Sequence, residues 1–176
     1  RLDGLVDIYL PDFKYASPAL AGALSGAPDY PETAEAALAE VYRQVGGVQF
    51  TEDGTLLRRG VLVRHLVLPG CRRDSCAVLG RIARLLPVQD IRVSVMSQYT
   101  PDFLDPGFAL PETSRAELER QGIRPALRRR LTDFEYRSVL DEADRLGITG
   151  YRQGRASAQA LYTPDFKEGI VQEEQP

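Results

Sequence analysis

The sequence predicts an α/β protein of about four parallel strands with flanking helices and one hairpin, either an open sheet or part of a (β/α) barrel. Three observations predict it. Residues 60–70 form the longest apolar run, rich in Val and Leu and closed by Pro69-Gly70, which reads as a strand buried on both faces. Two further apolar segments share its grammar: residues 5–10 run into Pro11-Asp12-Phe13-Lys14, and residues 91–96 run into Ser97-Gln98-Tyr99-Thr100-Pro101. Segments of helical period separate these strands, and such alternation implies parallel strands joined by right-handed crossovers.

Residues 17–24 suggest a short helical turn, and Gly26-Ala27-Pro28-Asp29 a loop. Pro31 suits the first turn of a helix, in which Ala34, Ala37, Leu38, Val41 and Val45 recur at helical spacing until Gly46-Gly47. Residues 48–59 read as a hairpin, its arms Val48-Gln49-Phe50 and Thr55-Leu56-Leu57 joined around Asp53-Gly54. After the central strand, Asp74 or Ser75 is the expected cap of a helix with an apolar face of Val78, Ile82, Leu85 and Leu86, ended by Pro87. Residues 98–111 read as a long irregular stretch, residues 113–122 as a helix, and residues 124–130 as a basic connection. Thr132-Asp133-Phe134-Glu135 is a capping box for a helix that buries Tyr136, Val139, Leu140 and Ala143. Residues 148–153 are the expected fourth strand, the sheet domain is expected over residues 1–154, and residues 155–176 read as a polar tail.

With 176 residues the chain suffices for one domain with a substantial core, and a net charge of −3 gives no case for general nucleic-acid binding. No apolar run approaches the roughly 20 residues needed to cross a bilayer. Two cysteines without a secretory signal point to a reducing, cytoplasmic setting. No Gly-rich phosphate loop and no G-x-S-x-G elbow occurs.

In parallel α/β folds ligands collect past the carboxyl ends of the strands, so polar residues there are the candidates. Asp12 and Lys14, two apart, project to one side and suit a ribose hydroxyl and a ligand carboxylate; a solvated ion pair is the plainer reading. Arg64 lies within an apolar strand, where a buried guanidinium needs an anion, from the protein or from a ligand. His65, the single histidine, has the opposite parity and reads as a hydrogen-bonded packing residue. Gln98 and Tyr99 offer amide and phenol groups suited to adenine or ribose. Cys71 and Cys76, spaced C-x4-C, do not match zinc spacing, and the Arg128-Arg129-Arg130 run reads as solvated surface.

Taken together, Asp7-Ile-Tyr-Leu-Pro-Asp12-Phe-Lys14, Val63-Arg-His-Leu-Val-Leu-Pro-Gly70, Met96-Ser-Gln-Tyr-Thr-Pro101, Arg129-Arg-Leu-Thr-x-x-Glu135-Tyr136 and Leu146-Gly-Ile-x-x-Gly-Tyr151 resemble radical S-adenosylmethionine (SAM) proteins. The nearest branch is the uncharacterised relatives of the activating enzyme of pyruvate formate-lyase, and the resemblance spans residues 5–153. It implies a partial (β/α)6 barrel in which SAM binds a [4Fe-4S] cluster, is cleaved reductively and activates a glycyl-radical enzyme or another protein partner. By the same resemblance Asp12, Lys14, Arg64, Gln98 and Tyr99 lie around SAM, although the His of the family's Tyr-His pair is missing after Gln98-Tyr99. The chain carries no Cys-x3-Cys-x2-Cys loop, and three thiolates are needed to hold such a cluster with one iron open. The expected reading is therefore the C-terminal, SAM-binding half of such a protein, without cofactor bound and inactive alone. The alternative is a non-catalytic α/β domain that binds a nucleotide-like ligand or a protein through an open sheet edge, and self-association through that edge is expected in either case.

Overall fold

The computed structural model describes residues 2–101 and 112–153. The polar tail and most of the irregular stretch expected over residues 98–111 lie outside the described residues. The elements are β1 (Ile8–Tyr9), α1 (Pro18–Ser25), α2 (Tyr30–Val45), β2 (Gln49–Phe50), β3 (Leu57–Leu66), α3 (Arg72–Leu85), β4 (Arg92–Met96), α4 (Glu112–Arg120), α5 (Ile123–Ala126), α6 (Asp133–Arg145) and β5 (Gly150–Arg152). Strands β1, β3, β4 and β5 run parallel, in that order, in one open sheet, and β2 pairs antiparallel with β3. The fold is α/β, as expected, with β3 as the central strand.

One-sided coverage is the main departure from expectation. Val61, Val63, His65 and Val67 on β3 and its extension, with Val93 and Val95 on β4, are buried against α2, α3 and α6. Leu62, Arg64, Leu66, Ser94 and Met96 point the other way, and none is buried. The central strand is thus buried on one face, not two. A parallel sheet open on one side is what a partial barrel presents toward its lumen.

Smaller differences have local causes. Only Ile8 and Tyr9 pair as β1, and Leu5 is 77% exposed. The hairpin's second arm is the start of β3 itself, with Gln49 opposite Arg59 and Phe50 opposite Leu57 across an irregularity. Helix α1 is a full eight residues, because Ser17 accepts the Leu20 amide and Gly26 closes it in the left-handed conformation. Helix α3 begins at Arg72 without a side-chain cap, so neither Asp74 nor Ser75 caps it. Ala37 is exposed, whereas Leu79 joins the buried face of α3. The capping box at α6 forms as read, with both reciprocal bonds present. A second apolar cluster, built from Leu20, Ala21, Cys71, Tyr99, Leu118, Ile123 and Leu127, packs α1, α4 and α5 together at the carboxyl end of the sheet.

Close backbone approach fixes the β4–β5 join. Gly150 has φ +153°, and a Cβ there would lie 2.1 Å from the Val93 carbonyl oxygen. Any side chain must push β5 off the sheet, since that oxygen belongs to backbone. Gly150→Ala is expected to cost roughly 2 kcal/mol or more in urea denaturation, beyond the usual effect of an exposed Gly→Ala change. A loss of less than about 0.5 kcal/mol would show that β5 does not pair at this register.

Candidate functional site

The segment after β1 departs from ladder pairing, yet its backbone is held at nearly every step. Arg64 N–H donates to the Pro11 carbonyl at 2.9 Å, and Phe13 N–H donates to the Arg64 carbonyl at 3.0 Å. The Tyr30 hydroxyl donates to the Asp12 carbonyl at 2.9 Å and accepts the Lys14 N–H at 3.0 Å. The Phe13 carbonyl lies 2.8 Å from His65 Nδ1. Asp74 then takes the Ala16 and Ser17 amides at 3.1 and 2.8 Å. Phe13 anchors the segment in the core at 1% exposure.

This scaffold delivers four of the five sequence-predicted site residues to one place. Asp12, Lys14, Arg64 and Gln98 line a pocket of about 330 Å3, with Tyr15, Leu66, Leu68 and Met96 completing its wall. The strands carrying them run parallel, and an isolated bridge pairs Asp12 with Arg64. Arg64 is half-exposed rather than buried, because it points to the uncovered face. Its Nη2 lies 2.8 Å from Asp12 Oδ1 without hydrogen-bond alignment, and Oδ1, shielded from solvent, has no hydrogen-bond partner among the described residues. Lys14 Nζ stands 3.9 Å from Asp12 Oδ2. Two cations thus face one carboxylate, which leaves the pocket one positive charge in excess.

Tyr99 is the fifth predicted residue, and the structure sends it elsewhere. It sits buried in the α1–α4–α5 cluster with its hydroxyl donating to the Leu127 carbonyl at 2.7 Å. Alternation explains the split: Gln98 keeps the outward sense of Met96, and Tyr99 takes the inward one. Sequence reasoning did not single out Gln153, whose carboxamide accepts the Ser97 amide and donates to Gln98 Oε1, both at 3.2 Å, or Tyr30. Polar residues beyond a short edge strand, and a Tyr at a helix start, carry no sequence signal of such roles.

A second polar centre lies beyond β3. Glu135 accepts from the Gly70 amide at 2.8 Å, from both the amide and hydroxyl of Thr132, and from Arg129 in a two-pronged pair with both contacts at 2.8 Å. The Arg129 guanidinium, first among these, holds the Glu135 carboxyl well below the usual carboxylate range. Asp74 moves the opposite way: burial pushes its carboxyl up, outweighing the two amides that lower it. Arg129, read as solvated surface, instead anchors the α6 start to the β3 turn.

The donor set meets one of the two groups that the resemblance implies. Carboxylate, ammonium, guanidinium and carboxamide around an apolar wall offer partners for the ammonium, carboxylate and hydroxyl groups of an amino-acid-bearing nucleoside such as SAM. A [4Fe-4S] cluster is not accommodated by the described residues. Both cysteines are free thiols, and burial pushes Cys71 up to about 12 and also raises Cys76. No group of three or more His, Cys, Asp or Glu able to hold a metal occurs among the described residues. No described helix is long and apolar enough to cross a membrane. Comparison with protein-family models, with curated proteins and with solved structures finds no match for the chain.

His65 is a packing residue with a fixed tautomer. A carbonyl only accepts, so Nδ1 carries the proton, and the buried Nε2 has no partner among the described residues. Burial lowers its pKa from 6.5 to about 4 despite the Phe13 bond, which acts to raise it. The unfolded chain therefore takes up this proton first, and stability present above pH 6.5 is lost as pH falls toward 4. The expected loss from this group is about 3 kcal/mol between those limits. His65→Asn keeps an N–H near the Phe13 carbonyl and cannot titrate, so its urea-denaturation stability should fall less steeply over pH 7 to 4 than the parent's. Parallel slopes would contradict the assignment.

Proposed function

We propose that this chain binds S-adenosylmethionine, as the C-terminal half of a radical SAM protein similar to the activating enzyme of pyruvate formate-lyase. The observation that supports this reading is convergence: Asp12, Lys14, Arg64 and Gln98, from the carboxyl ends of three parallel strands, line one pocket. Arg64 and Lys14 suit the methionyl carboxylate, and Asp12 suits an ammonium or ribose hydroxyl. Leu66, Leu68 and Met96 offer apolar surface to the nucleoside. SAM itself supplies a sulfonium flanked by methionyl and adenosyl groups; the residues of this chain bind and orient it.

The chain alone binds and does not cleave, because its thiols do not form a cluster site. Reductive cleavage belongs, in this reading, to a protein that also carries a Cys-x3-Cys-x2-Cys loop and acts on a glycyl-radical enzyme or another protein. A cytoplasmic setting and self-association through the open sheet edge are parts of the same proposal. The unmatched donor set for a cluster favours one competing reading, a non-catalytic domain for a nucleotide-like ligand.

An amide NMR titration of the chain with millimolar SAM, and separately with adenosine, tests the proposal. SAM is expected to bind weakly, with Kd on the order of 1 mM, and to shift amides in residues 12–14, 64–66 and 96–98. Arg64→Leu should abolish those shifts. Perturbations elsewhere, or none, refute the SAM site, and equal shifts with adenosine alone favour the nucleotide-binding alternative.

A further inference from the structure

We propose that Tyr30 is a positioning residue for this pocket, its hydroxyl setting the spacing and direction of Asp12 and Lys14. Tyr30 is the first residue of the 16-residue helix α2 and packs against both apolar clusters. Its ring meets Tyr15 edge-on at 5.6 Å between centroids, so two rigid bodies of core fix where its oxygen stands. That oxygen donates to the Asp12 carbonyl and accepts from the Lys14 amide, the two backbone groups that flank Phe13. On the other side of the same peptide, His65 Nδ1 holds the Phe13 carbonyl. The three residues are thereby clamped from α2 and β3 together. Burial pushes the Tyr30 phenol above its usual pKa.

The consequence is pre-organisation. Asp12 and Lys14 emerge on one side only while the backbone between them stays extended, and the sheet hydrogen bond of Phe13 fixes one strand edge without fixing residue 14. The Tyr30 hydroxyl, acting with His65 on the opposite side of the Phe13–Lys14 peptide, supplies that constraint, so the carboxylate and the ammonium meet a ligand already placed.

Tyr30→Phe removes one oxygen and leaves the ring packing, and Tyr42→Phe is the matched control. Tyr42 donates to Asp90 Oδ2 at 2.6 Å and lines no part of the pocket. In the intact chain, hydrogen exchange of the Lys14 amide should quicken about tenfold in Tyr30→Phe and stay unchanged in Tyr42→Phe. This arm needs no ligand; unchanged Lys14 exchange in Tyr30→Phe overturns the clamp. The second arm rests on the SAM-binding reading. SAM titrations followed by amide shifts should show affinity weakened about fivefold in Tyr30→Phe and unaltered in Tyr42→Phe. Equal weakening in both variants, or none in Tyr30→Phe, overturns the positioning role. Absence of SAM-induced shifts in the parent chain would instead sink the proposed function, with the exchange arm still deciding the clamp.

Discussion

Residues 11–17 are the constraint on which the rest of the structure depends. A chain that leaves a sheet must find partners for its backbone groups elsewhere, since unpaired buried amides and carbonyls are costly. Here the partners come from three different elements: Tyr30 on α2, His65 and the Arg64 backbone on β3, and Asp74 on α3. One extended segment therefore locks two helices to the central strand. The same bonds give Asp12 and Lys14 a fixed place at the rim, so folding and site geometry share one set of contacts.

Much of this architecture was legible along the chain because it rests on local rules. Apolar runs rich in β-branched residues mark β3 and β4, and Pro11, Pro69 and Pro101 mark where strands stop. The Thr132–Glu135 box forms because both reciprocal bonds lie within four residues. The convergence of Asp12, Lys14, Arg64 and Gln98 followed from parallel strands alone. What was not legible depends on contacts across the sequence. Asp74 looks like a helix cap until Ala16 and Ser17, more than fifty residues away, claim its carboxylate. Arg64 looks buried until α2, α3 and α6 prove to share the face that Val63 and His65 occupy. Tyr99 could have been separated from Gln98 by strand parity, had that parity been carried past the end of β4.

The uncovered face also accounts for the polar character of the rim. Arg64 and Ser94 on the strands, and Gln98 just past the end of β4, are tolerated because their side of the sheet meets water. On the covered side, β3 carries His65, neutral and bonded, and at its start Arg59, whose guanidinium donates to the Gln44 and Val45 carbonyls at the end of α2. The division is physical: a charge on the covered face would need a buried counter-charge, whereas one on the open face does not.

Two ion pairs of equal length differ in how much of the architecture rests on them. Arg129 and Glu135 meet at 2.8 Å in two aligned bonds, with the Glu135 side chain only 11% exposed and further tied to Gly70 and Thr132. Removing Arg129 would leave the Glu135 carboxylate without its counter-charge, and removing Glu135 would free the turn after β3. Arg64 and Asp12 also meet at 2.8 Å, but both side chains are a third or more exposed and the contact is not aligned as a hydrogen bond. Such a pair contributes on the order of 0 to 1 kcal/mol. The β1–β3 backbone bonds, not this pair, hold the two residues side by side. In the proposed site, Arg64 would turn from Asp12 to the ligand carboxylate at little cost to the fold, and Asp12 to a cation or hydroxyl in the same exchange.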